Sequence, residues 1–145
     1  MGVRRRAREQ SLQFLYQIEL KYDSFDISNL NHELREFWYN RDKPVDNDIF
    51  EFSNVINVGT MENRESIDKL ISKYSANWKI GRISKIDKQI LRMAIFELIY
   101  SHDVPKSVVI NEAIEIAKKY GSEESSSFIN GILDRINNDL NRGDN

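Results

Sequence analysis

The chain has 145 residues, 40% hydrophobic and 30% charged, with a net charge of −2; this is enough for one domain with a real core and too apolar for a disordered segment. It has no cysteine, which excludes disulfides and thiolate metal sites, and no apolar run near the roughly 20 residues that a membrane span needs. The charge is uneven: Arg4, Arg5, Arg6 and Arg8 take four of the 21 basic residues, and the 17 that remain face 23 acidic ones, so the rest of the chain carries −6.

The opening residues, Met1-Gly2-Val3-Arg4-Arg5-Arg6, hold no apolar signal core, so a cytoplasmic location is expected rather than secretion. From there on the apolar spacing is helical, and no strand-like alternation persists. A first helix is predicted from about Arg4 to Lys21, with Leu12, Leu15, Tyr16 and Ile18 turned inward. A second carries Ile27, Leu30, Leu34, Phe37 and Trp38, and Asn40 to Asp48, around Pro44, reads as a loop. A short third helix holds Ile49, Phe52, Val55 and Ile56 and is expected to end at Gly59, and a fourth holds Ile67, Leu70, Ile71 and Tyr74.

Ser84-Lys85-Ile86-Asp87 resembles a capping box with Asp in place of Glu or Gln. It opens a helix carrying Ile90, Leu91, Ala94, Ile95, Leu98 and Ile99, which is apolar on most sides and is therefore expected at the centre of the fold. Pro105 breaks the chain, and Ser107 is expected to cap a helix whose inner face is Val108, Ile110, Ala113, Ile114 and Ala117. Gly121 follows its last turn, where a left-handed residue closes a helix most easily. The last helix carries Phe128, Ile129, Ile132, Leu133 and Ile136, and a polar tail from about Asn137 is expected to fray. No repeat of about 20–50 residues and no low-complexity linker is present. The prediction is an all-α, compact bundle of about seven helices forming a single domain over residues 1–145.

Four arginines at a helix start oppose the helix dipole at a cost of about 0.3–1 kcal/mol each, which suggests a purpose beyond solubility. Arginine's planar fork suits phosphate; the alternative is a solvated basic tail. Arg8 shares a face with Leu12 and Leu15, so the first turn is expected either to overhang the bundle or to order only when a polyanion binds. Phe128 lies about 100° from Ile129, on a face with Glu124 and Gly131; it either stacks on an unpaired base or widens the core-facing arc. Asp87 reads first as a capping residue, Tyr16 as a core tyrosine with its hydroxyl at the edge, and Asn130-Gly131 as a point of close helix packing. His32 and His102 lack metal-type spacing, no Gly-rich phosphate loop exists, and Glu123-Glu124 look like helix-start residues. No enzyme is expected, hence no catalytic residues, metal or cofactor.

Arg4-Arg5-Arg6-Ala7-Arg8-Glu9 followed by Leu15-Tyr16, then Trp78…Arg82-Ile83…Ile86-Asp87 and Ile90-Leu91-Arg92-Met93-Ala94-Ile95-Phe96-Glu97-Leu98, resembles the NusB family. So do Asp103-Val104-Pro105, Val109-Ile110-Asn111-Glu112-Ala113-Ile114-Glu115-Ile116-Ala117-Lys118, Tyr120-Gly121-Ser122-Glu123-Glu124 and Phe128-Ile129-Asn130-Gly131-Ile132-Leu133-Asp134. The match runs in order along nearly the whole chain and is thinnest from Tyr22 to Ser75.

The resemblance implies two small helical subdomains and binding to the single-stranded boxA element of nascent ribosomal RNA. It also implies pairing with NusE, a small-subunit ribosomal protein, and delivery to RNA polymerase, which the pair helps to resist termination. By motif position, Arg4, Arg5, Arg6 and Arg8 correspond to RNA-contacting arginines, Glu124 and Phe128 to RNA-side residues, and Tyr16 and Asp87 to NusE-side residues. Two departures stand out. Glu124 replaces a frequent Asp, keeping the charge on a longer side chain, and Ser127 replaces a common basic residue, which implies either weaker RNA binding or greater reliance on the arginines. The acidic remainder of the chain suits a basic partner. Two other readings stay open: a helical adaptor without RNA specificity, in which Arg5 and Arg6 are dispensable, and a NusB-like fragment of an rRNA cytosine methyltransferase, which S-adenosylmethionine binding would mark. A homodimer that covers the arginine-bearing face until RNA arrives is compatible with the sequence.

Overall fold

Residues 2–75 and 80–142 are described by a computed structural model; Trp78 of the quoted motif lies outside them. Among the described residues seven α-helices follow one another: α1 Val3–Lys21, α2 Leu30–Tyr39, α3 Asn47–Glu62, α4 Arg64–Tyr74, α5 Lys85–Tyr100, α6 Lys106–Tyr120 and α7 Ser125–Asn141. Short 3-10 turns precede α2 (Ile27–Asn29) and α5 (Ile80–Arg82). The all-α expectation holds.

Helix α5 is the centre, packed against α1, α3, α4, α6 and α7. Its sequence explains that place: Gln89 through Leu98 are all buried, so the helix needs neighbours on every side. Ser84 caps it, its Oγ accepting from the Asp87 amide at 3.2 Å. Helix α1 packs mainly on α3, and α6 on α7. The first group thus lies at the N-terminal end of the chain and the second at the C-terminal end, and one apolar cluster, from Leu12 and Phe14 through Ile90 and Leu91 to Ile132 and Ile136, spans both. Helix α7 continues past Asn137 to Asn141, and Leu140 packs against that cluster.

Several local expectations are corrected. Helix α3 runs through Gly59 to Glu62. The glycine is there because the Phe96 ring of α5 occupies the space that a Cβ would fill, a close approach rather than a helix stop. Val55 is exposed, and so is Ile27, which sits in the 3-10 turn rather than inside α2. Helix α6 starts one residue before Ser107, with Pro105 in the cap position. Its buried stripe is Val109, Ile110, Ala113, Ile116 and Ala117, rotated from the expected one because α6 must face α5 and α7 together; Val108 is exposed. Gly121 has φ −95° and ψ −170°, an extended rather than left-handed backbone; a Cβ there would collide with the Ser125 side chain.

Candidate nucleic-acid interface

The first turn of α1 neither overhangs the bundle nor stands apart from it. Arg8 is 3% exposed and takes the Glu97 carboxylate of α5 in a two-pronged bond, Nε to Oε2 at 2.8 Å and Nη2 to Oε1 at 2.9 Å. Its third nitrogen, Nη1, donates to Glu112 Oε1 of α6 at 3.3 Å. Arg5, one turn earlier, donates from Nε to Glu112 Oε1 at 2.8 Å and from Nη2 to Oε2. The bond from Arg5 holds the Glu112 carboxyl below its ordinary range, and the same bond raises the Arg5 guanidinium.

Arg4 and Arg6 are exposed. Arg4 lies over the Phe52 ring of α3, 5.0 Å from its centroid, and neither arginine has an ion-pair partner among the described residues. The cluster is thus a graded set: Arg8 is locked inside, Arg5 is held at the rim, and Arg4 and Arg6 are free to meet an anion. Neither Glu97 nor Glu112 is singled out by spacing alone. Glu97 carries a signal in retrospect, because an acidic residue inside the apolar run Met93-Ala94-Ile95-Phe96-Glu97-Leu98 needs a buried cation.

The second locus is a groove at the start of α7. A cavity of about 610 Å³ is lined by Arg82, Ile83, Ser84, Asp87, Glu123, Glu124, Ser127 and Phe128. Phe128 is half-buried, packing on the core with one side, while its other side borders the groove. Glu124 is exposed at the N-cap of α7, where a negative charge complements the helix dipole. Asp87 is 8% exposed, and its Oδ1 has no hydrogen-bond partner among the described residues. Three residues expected to serve two different ligands, Glu124 and Phe128 on one side and Asp87 on the other, border one groove.

Helix α6 links the two loci. Glu112 receives Arg5 near its middle, Lys119 near its end pairs with Glu9 of α1 at 3.0 Å, and exposed Tyr120, under the Lys119 ammonium, leads into Gly121 and the groove. Tyr16 does not border either locus. It is half-buried on α1, one turn before Glu19, which pairs at 2.6 Å with Lys88, the neighbour of Asp87 on α5. Tyr16 and Asp87 thus belong to adjoining helices on the α1–α5 side.

His32 and His102 are exposed and belong to separate segments. Among the described residues no group of three or more His, Cys, Asp or Glu side chains could hold a metal ion, and no helix is long and apolar enough to cross a membrane.

Comparison with known proteins places this geometry in context. The model of the NusB family matches residues 5–138. The transcription antitermination protein NusB of Thermodesulfovibrio yellowstonii is 48% identical over 136 residues, covering 92% of this chain and 90% of that protein. A solved structure of T. maritima NusB superposes with a TM-score of 0.78 at 38% identity, over 93% of this chain and 90% of that one. The NusB fold in a complex of the antitermination factors NusB and NusE with double-stranded RNA superposes with a TM-score of 0.80 over 95% of this chain and 98% of that one; at 23% identity this likeness speaks for the fold alone.

Proposed function

The chain belongs to the NusB family, and we propose that, as a transcription antitermination factor of that family, it binds single-stranded boxA RNA together with NusE and helps RNA polymerase resist termination. The observation that carries the RNA-binding part is the graded arginine set. Arg8 and Glu97 pin the first turn to the bundle, and Arg4 and Arg6 remain free at its rim. Such a set meets phosphates on a prepared surface and supplies the salt-dependent share of affinity.

The groove at α7 supplies the selectivity. An aromatic beside polar side chains favours bases that are out of a helix, since stacking on Phe128 needs a free base face. Asp87, in the same groove but on α5, stands where RNA and a basic protein partner would meet, and Tyr16 extends the partner side along α1. The acidic remainder of the chain draws a ribosomal protein and repels RNA that misses the arginines. The function is recognition, not catalysis, and its place is the cytoplasm, where the transcript is made.

Fluorescence anisotropy of a labelled boxA-type RNA, with and without NusE over a salt series, tests this. Tighter, sequence-selective binding with NusE, and a shallower log–log salt slope in Arg5→Ala with Arg6→Ala, are expected. Equal affinity for boxA and scrambled RNA in the presence of NusE would leave only the adaptor reading.

A further inference from the structure

We infer that Glu112 is a positioning residue for RNA binding, presenting Arg5 to a phosphate by gripping one edge of its guanidinium and leaving the other edge unpaired. The inference rests on the RNA-binding reading above and names a residue that reading does not use.

A guanidinium has five N–H donors and can be approached along its Nε–Nη2 side or end-on between Nη1 and Nη2. Glu112 takes the first: Nε donates to Oε1 at 2.8 Å and Nη2 to Oε2. Nη1 of Arg5 has no partner among the described residues, so the end-on edge, which fits two phosphate oxygens, stays available on a residue at the rim. Arg8 shows the contrast. All three of its nitrogens are taken by Glu97 and Glu112, and it is 3% exposed, so no edge remains for RNA. Arg4 and Arg6 differ in the other direction, with free edges but no carboxylate to orient them.

Glu112 is itself held in place. It sits on α6 with its side chain 19% exposed, and Oε1 also accepts from Arg8, which Glu97 anchors to α5. The chain Glu97–Arg8–Glu112–Arg5 thus runs from the middle of the bundle to its surface. Arg5 meets RNA with part of its rotamer freedom already surrendered in folding, so less is lost on binding. A carboxylate beside an RNA backbone is otherwise a liability, because like charges repel. This opposition makes the sign of the mutational effect decisive.

The test uses equilibrium anisotropy of a fluorescein-labelled boxA-type single-stranded RNA with the wild-type chain, Arg5→Ala, Glu112→Gln and the double variant, each checked by thermal melting. Glu112→Gln is expected to weaken binding by about three- to tenfold although it removes a negative charge, as for a phosphate contact loosened rather than deleted. In the Arg5→Ala background the same substitution is expected to change little. Tighter binding by Glu112→Gln would make Glu112 a brake rather than a support, and an undiminished effect without Arg5 would route it through Arg8 or the fold; either overturns the inference. If Glu112→Gln does not fold, Arg5→Lys serves instead. It keeps the charge and can still pair with Glu112 but has no second edge, so a loss comparable to Arg5→Ala is expected, and wild-type affinity would overturn the proposal. Should Arg5→Ala bind normally while Arg4→Ala and Arg6→Ala bind weakly, this inference fails and the RNA-binding reading stands. If no arginine variant weakens binding, the reading itself falls.

Discussion

The four arginines look alike in sequence, yet their surroundings make them separate objects. Arg8 and Glu97 are each 3% exposed and paired through two hydrogen bonds. Removing one member leaves the other charged and dry, so Arg8→Ala is expected to cost about 3–5 kcal/mol of stability, read as a lowered melting temperature. Arg4→Ala and Arg6→Ala are expected to leave melting nearly unchanged and to reduce the log–log salt slope for RNA binding by about one each. Phe128→Ala is expected to weaken RNA binding by about 1–3 kcal/mol with little change in salt slope, since stacking releases no counterions. Comparing melting curves with salt-dependent anisotropy across the four variants separates these roles. Spacing along the sequence shows a basic cluster at the head of a helix; it does not show which arginine is buried, because that depends on Glu97 and Glu112, which arrive from positions 89 and 107 residues away. Phe128 is more legible: its offset from the Ile129 stripe already indicates a side chain at the edge of the core, where it is found.

At the level of helices, the centrality of α5 follows from its composition, and its neighbours are tied to it by specific features. One is Gly59. Because the Phe96 ring fills the space where a Cβ would go, Gly59→Ala is expected to destabilise by about 1–3 kcal/mol through overpacking, whereas in an exposed helix the same change would stabilise; denaturant unfolding gives the sign. Another is the ion network joining α1, α4 and α5. Glu19 accepts from Lys88 at 2.6 Å and from Arg92 at 3.0 Å, while Arg92 also grips Asp68 at 2.8 and 2.9 Å. Burial alone would raise the Glu19 carboxyl; the bonds from Lys88 and Arg92 outweigh it and hold the group at about 2, against an ordinary 4.5. A carboxyl depressed by folding contributes stability that is complete above its unfolded value and is lost as protons bind the native state. The melting temperature is therefore expected to fall between about pH 4.5 and about pH 2, and Glu19→Gln to flatten that part of the profile. A fall of the same steepness in Glu19→Gln would assign the acid sensitivity to other carboxylates.

For the whole molecule, the proposed function needs two partners on one small bundle, and the fold supplies two loci joined by α6. The arginine rim and the α7 groove belong to opposite ends of the chain; Arg5–Glu112 and Glu9–Lys119 tie α1 to α6, and the chain leaving α6 at Tyr120 runs into Glu123 and Glu124 of the groove. The groove also brings Asp87 beside Glu124 and Phe128, so RNA and partner protein are expected to bind cooperatively, each excluding water from a wall the other uses. A double titration, in which NusE tightens RNA binding by the same factor as RNA tightens NusE binding, measures this coupling; independent affinities would separate the two surfaces. What the sequence by itself determined is local and periodic. Helical spacing, the Ser84 cap, the apolar centre of α5 and the concentration of arginine in α1 are written into neighbouring residues, where period and composition suffice. What only the tertiary structure decided depends on contacts between distant segments: Gly59 as a contact instead of a stop, the rotation of α6 toward two neighbours at once, the burial of Arg8, the grip of Glu112 on Arg5, and the meeting of Asp87 with Phe128. A single strand of residues carries no record of which face another helix will cover, so those features arise only when the helices close around α5.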